Sequence, residues 1–137
     1  MRLLVLAIAL ALALLVAGPA GAAELVMFEQ KACVWCALFN REIAPAYART
    51  DEGKRAPLRR VDIGAPLPAD LAFVQRERFT PVFVLVDNGR EYGRIRGYPG
   101  ETFFFGLLAN MIERLDRGES TTASDTGAPP PGVTFAE

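Results

Sequence analysis

The sequence predicts an α/β domain, a central mixed sheet of about four strands flanked by helices. Three observations carry that prediction. Short apolar runs alternate with stretches of helical periodicity. Val82-Phe83-Val84-Leu85-Val86 is a continuous, β-branched run followed at once by Asp87-Asn88-Gly89, a tight-turn sequence. Phe103, Phe104, Leu107, Leu108, Met111, Ile112 and Leu115 then recur at helical spacing, the stripe of an amphipathic helix.

Taken in order, residues 24–29 form an apolar run that reads as a buried strand. Val34 to about Ala48 reads as a helix, because Trp35, Leu38, Phe39, Ile43 and Tyr47 recur every three or four positions. Pro45 lies inside it and is expected to kink the last turn, since it donates no N–H and its ring clashes with the preceding turn. Thr50-Asp51-Glu52-Gly53 is read as the end of that element. Leu58 to Ile63 reads as a second strand. Pro66 and Pro68 are expected to open a short helix in which Leu71, Phe73, Val74 and Phe79 are apolar. Val82 to Val86 is the third strand, and Asn88-Gly89 supplies the positive φ that a hairpin turn requires. Glu91 to Arg96 returns as its partner, and Gly97-Tyr98-Pro99-Gly100 breaks it. Thr102 caps or opens the last helix, where Phe103-Phe104-Phe105 is read as core. Because helices join the first three strands, parallel pairing is expected among them, with the hairpin adding an antiparallel strand. One domain, residues 24–117, accounts for all of these elements, and no internal repeat is present.

The two ends read differently. Residues 1–23 have the layout of a cleaved signal peptide: Arg2, an unbroken apolar run from Leu3 to Val16, a Gly18-Pro19 break, then small residues ending at Ala22 or Ala23. A membrane anchor is the alternative, but the run is shorter than the ~20 residues that span a bilayer. Residues 118–137 are polar and contain Pro129-Pro130-Pro131, the composition of a disordered tail.

Composition excludes several function classes. Without Arg2 the chain has 14 basic and 16 acidic residues, and its basic groups are scattered rather than interleaved with aromatics, so no nucleic-acid surface is expected. There is no histidine, which removes the commonest general base and metal ligand. No metal site is expected, and the chain is expected to act as a monomer.

The chemistry is concentrated in Cys33-Val34-Trp35-Cys36, which holds the only two cysteines of the chain. In an exported protein thiols tend to be oxidised. A disulfide between residues so close closes a very small loop and removes little unfolded-state entropy, so the pair is a poor staple. A Cys-x-x-Cys between a strand and a helix is instead a redox site. Unpaired N–H groups and the dipole at a helix start favour a thiolate on Cys33, and the thiolate is the nucleophile of disulfide exchange. Cys36, one turn on, can attack a mixed disulfide on Cys33 and release the partner. Trp35 reads equally as a contact surface for partner proteins or as core. Thr80-Pro81 alone is an ordinary strand start, but with this pair upstream it reads as a cis-proline loop placed beside the sulfurs.

With those motifs in view, the chain resembles a thioredoxin-fold protein. The resemblance runs through Cys33-Val34-Trp35-Cys36, Pro45, Thr80-Pro81 and Gly97-Tyr98. Met27-Phe28-Glu29-Gln30, Pro57 to Ile63 and Arg94 to Glu101 are similar to the periplasmic thioredoxins of bacterial sulfur-oxidation (Sox) systems, the SoxS type, over about residues 24–116. The resemblance implies a thioredoxin-like fold and a periplasmic protein disulfide reductase. It implies no cofactor beyond the Cys33–Cys36 couple. The implied partners are a periplasmic protein with a reactive cysteine or disulfide, such as the Sox carrier protein, and a membrane thiol electron donor. Thr80 and Pro81 would then pair with a bound partner segment by strand addition.

One departure stands out. Thioredoxins usually carry a buried acid six residues before the first cysteine, and here that residue is Met27. Glu29, on the same strand face if the strand continues, is a substitute proton acceptor, or else a solvated side chain at the strand end. Lys31 would favour the Cys33 thiolate weakly. Val34-Trp35 differs from the Gly-Pro of common reducing thioredoxins and lacks the histidine of strong oxidants, which favours a reductant. A copper chaperone using the two thiolates is an alternative function, though two cysteines leave its coordination incomplete. A thiol oxidase or isomerase is another.

Overall fold

The computed structural model describes residues 22–121. Nearly all of the signal-peptide segment and residues 122–137 of the tail lie outside the described residues. Four strands form one mixed sheet: β1 (Glu24–Glu29), β2 (Leu58–Asp62), β3 (Val82–Asp87) and β4 (Arg90–Arg96), in the order β2-β1-β3-β4. The main helices are α1 (Val34–Glu42) and α4 (Glu101–Arg117), with short helices α2 (Ala44–Tyr47) and α3 (Asp51–Arg55) between α1 and β2. Among the described residues no helix is long and apolar enough to cross a membrane.

β2 pairs with β1 in parallel, as expected, but β3 runs antiparallel to β1. The registers give the reason. Asp62 lies beside Glu29 at the end of β2, and Val82 lies beside Phe28 at the start of β3. The chain therefore leaves and re-enters the sheet at the same end. A parallel strand would need a crossover long enough to carry the chain back to the other end. Residues 63–81 hold only one 3₁₀ turn, Ala69–Leu71, in place of the expected short helix. Leu71 and Val74 reach the core, whereas Phe73 and Phe79 are exposed.

Pro45 acts earlier than expected. The first helix stops at Glu42, and Pro45 sits in the opening turn of α2, where its missing N–H costs nothing. Thr50 starts a helix instead of ending one: its hydroxyl accepts from the Gly53 N–H at 3.0 Å and caps α3. Gly53 is required there, because a Cβ would sit 1.8 Å from the Tyr47 carbonyl oxygen.

The face of the sheet under α1 and α4 is aromatic. Phe39, Phe83 and Phe104 are fully buried, with ring centroids 4.7 to 5.3 Å apart. The triple phenylalanine is split by helical geometry: Phe104 is core, Phe105 is half-buried and Phe103 is 72% exposed. Thr102 makes no cap, since α4 opens at Glu101 after Gly100. On the opposite face Val26, Phe28, Val61, Val82, Val84 and Val86 form an aliphatic layer with Leu71 and Val74. Residues 118–121, grouped with the tail by composition, are tied to the domain: Glu119 N–H donates to Arg114 and Thr121 N–H to Glu91.

Candidate redox site

β1 delivers the chain to the site. It is buried on both faces up to Phe28, and Ala32, at φ 60°, turns the backbone sharply into Cys33. Cys33 is the N-cap of α1 and is extended at φ −78°, ψ 106°. Its sulfur accepts a hydrogen bond from the Cys36 N–H at 3.1 Å. The two sulfurs form a disulfide, S–S 2.07 Å, with Cα atoms 5.2 Å apart. Their environments are unequal: Cys33 is half-buried, whereas Cys36 is 3% exposed and belongs to the aromatic core. One sulfur can be reached from outside and sits where backbone N–H groups converge; the other lies behind it. Beside them is a cleft of about 370 Å³ lined by Glu29, Gln30, Cys33, Cys36, Ala37 and Asn40, among others.

Thr80-Pro81 is a cis peptide. Pro81 is buried, and its carbonyl accepts from the Gly97 N–H at 2.8 Å, which fixes the loop against the end of β4. Pro81 precedes Val82, the partner of Phe28, so the loop stands at the sheet end from which β1 feeds the cysteines. The Thr80 hydroxyl is buried without a hydrogen-bond partner among the described residues.

The core alternative for Trp35 fails. Its side chain is 56% exposed and Val34 is 76% exposed, so an apolar rim flanks Cys33. Trp35 points outward because Cys36 and Phe39 already occupy the buried side of α1.

Met27 is fully buried, so the usual position of the acid is apolar in the fold as well as in the sequence. β1 does continue through Glu29, which places Glu29 on the Met27 face. Its carboxylate is paired rather than merely solvated: Oε2 accepts from Arg60 Nη1 at 2.7 Å. Arg60 also donates through Nη2 to Asn40 Oδ1 at 2.8 Å. Lys31 is exposed and makes no ion pair among the described residues. Arg60 and Asn40 are the site-flanking residues that sequence reasoning missed. The parallel register places Arg60 beside Met27, a pairing that local patterns do not reveal. A further clamp joins Tyr98 to the end of α1: its hydroxyl donates to Glu42 Oε2 at 2.8 Å. Burial and then this carboxylate push the Tyr98 phenol well above the ordinary tyrosine range. Among the described residues no group of three or more His, Cys, Asp or Glu is placed to hold a metal ion.

No protein-family model matches the chain, and no curated protein does. Solved structures do. The reduced periplasmic thioredoxin SoxS from Paracoccus pantotrophus is 46% identical, covers 68% of this chain and 98% of its own, and superposes with a TM-score of 0.65. The thioredoxin of Fasciola hepatica is 23% identical, covers 75% of this chain and 93% of its own, with a TM-score of 0.51, and shares the fold.

Proposed function

The chain belongs to the thioredoxin-like family, alongside the periplasmic thioredoxin SoxS, and on that premise we propose that it is a periplasmic reductant of a disulfide or mixed disulfide on another protein. Thiol-disulfide exchange at Cys33 and Cys36 is its chemistry, and the disulfide is itself the redox group. The single observation that carries the mechanism is the unequal burial of the two sulfurs at the start of α1.

In the reduced protein the Cys33 thiolate, favoured by the helix N-terminus, attacks the partner's disulfide and becomes covalently joined to it. Lys31 adds a weak, screened contribution to the same thiolate. The partner segment lies along Thr80-Pro81 as an added strand, and Trp35 and Val34 supply an apolar contact around the bond. Cys36 then attacks Cys33, closes the disulfide and releases the reduced partner. A membrane thiol carrier restores the pair. By likeness to SoxS, the partner is a Sox-system carrier protein with a reactive cysteine. The signal-peptide layout of residues 1–23 supports export, and the burial of Ala23, which is 1% exposed in the core, favours cleavage after Ala22 over cleavage after Ala23.

Two measurements test this reading. Cys36→Ser should trap a carrier protein as a stable mixed disulfide on Cys33, and Cys33→Ser should trap nothing. The couple titrated against a glutathione buffer should lie near the reducing value of about −270 mV that thioredoxin has. A potential near the −120 mV, approximately, of strong oxidants would reverse the direction of the reaction.

A further inference from the structure

Resolution by Cys36 leaves one proton without an evident acceptor. Cys36 must attack as a thiolate, yet its thiol is 3% exposed, and apolar burial makes a thiol harder to ionise. The neighbouring strand position that could hold an acid is the fully buried thioether of Met27. We propose that Glu29 accepts the Cys36 proton and that Arg60 and Asn40 are positioning residues that hold its carboxylate at the wall of the cleft. The proposal rests on the reading above, in which Cys36 resolves a mixed disulfide.

Three observations converge on it. Glu29 lines the same cleft as both sulfurs. Arg60 ties β2 to β1 and α1 at once: Nη1 donates to Glu29 Oε2 at 2.7 Å and lies 3.6 Å from Met27 Sδ, while Nη2 donates to Asn40. Asn40 sits one helical turn after Cys36, on the same side of α1, so the clamp and the resolving sulfur share one wall. The clamp uses only Oε2, and Oε1 has no partner among the described residues. One carboxylate oxygen is therefore fixed and the other is free to take a proton.

The charges around Glu29 leave it this role. From β2 it faces Arg60 and, in register, Asp62, whose carboxylate accepts from the Gly64 N–H. Lys31 follows in the turn. From α1 the cleft receives the two sulfurs, Asn40 and the apolar Val34 and Ala37. β3 enters the sheet with Val82 opposite Phe28 and brings no titratable side chain there. In the step, the Cys36 S–H proton passes to Glu29 Oε1, directly or through one water. The Cys36–Cys33 bond forms as the Cys33–partner bond breaks. The bonding pair leaves on the partner's sulfur, which is protonated from Glu29 or solvent. The cysteine pair is oxidised by two electrons and the partner's disulfide is reduced.

Stopped-flow mixing of the reduced protein with a fluorescent peptide disulfide separates capture, which depends on peptide concentration, from release, which does not. With Glu29→Gln, capture should stay within about twofold of wild type, while release falls about tenfold or more at pH 6.5. The gap should narrow as the pH is raised toward 9, because hydroxide increasingly takes the Cys36 proton that Glu29 no longer accepts. Arg60→Met should give a smaller loss with the same pH trend. Met27→Asp added to Glu29→Gln should restore release at low pH; should that variant not fold, the pH profile decides alone. Release unchanged at every pH overturns the proposal, and so does a loss that is constant with pH, the signature of a purely structural role. Failure of every variant, wild type included, to form the captured species removes the Cys36 reading itself and the proposal with it.

Discussion

The two faces of the sheet are built by different means. The face beneath α1 and α4 is closed by helices and by an interlocked cluster of Phe39, Phe83 and Phe104, with Cys36 at its edge. The opposite face is a layer of valines covered by the irregular segment 63–81, which contributes Leu71 and Val74. That segment is held down at its edges by charge. Arg59 joins Asp70 to Glu24, and Arg94 joins the Gln75 carbonyl and Glu77 to Glu91. The difference places a close-packed aromatic cluster under the sulfurs and irregular backbone, tied down by ion pairs, in the segment that ends at Thr80-Pro81.

The sharpest way to break this comparison is to make a hole on the helical face. Phe39→Ala should cost about 3–5 kcal/mol, because its ring is clasped by those of Phe83, Tyr98 and Phe104 and the surrounding helices cannot collapse onto the void. Urea melts of the oxidised protein would show it. Leu71→Ala, equally buried but on the loop face, should cost only about 2 kcal/mol, since an irregular segment can settle into the space. Equal losses would erase the distinction between the faces.

Arg94→Met tests the charged edge. The Arg94 side chain is 11% exposed between Glu91 and Glu77, so its removal strands Glu91, leaves Glu77 with Arg96 alone and should cost about 1–2 kcal/mol. Peptide capture should slow more than stability falls, because the segment carrying Thr80 loosens first. The smallest effect concerns pH. Burial works to raise the Glu77 carboxyl, but hydrogen bonds from Arg96 and Arg94 outweigh it and hold the group below the usual range. A lowered folded-state pKa stabilises at pH above the ordinary glutamate value of about 4.3 and is lost as pH falls through the folded value. The Tm difference between wild type and Glu77→Gln should therefore be largest, though only a few degrees, at pH 6, and shrink toward zero by pH 3. A difference that grows on acidification would contradict the pairing.

What was legible in the sequence was local. The β3 run, the Asn88-Gly89 turn with Asn88 at φ 48° and Gly89 at φ 72°, and the cysteine pair at a helix start are each written in a few consecutive residues. The direction of β3 was not, because it depends on where a connection of irregular backbone ends up. The exposure of Phe103 beside the burial of Phe104 follows from which side of α4 meets the sheet, and apolar character alone does not choose between them. Arg60 looked like one of several scattered bases. Only the β1–β2 register brings it to Glu29 and Asn40, and so gives the site its charged wall.

The central claim is the inequality of the two sulfurs, and limited alkylation of the reduced protein tests it most directly. Brief exposure to iodoacetamide at neutral pH, followed by peptide mapping, should place the label on Cys33 and leave Cys36 unmodified until the protein is unfolded. Equal labelling of the two thiols, or faster reaction at Cys36, would contradict the account.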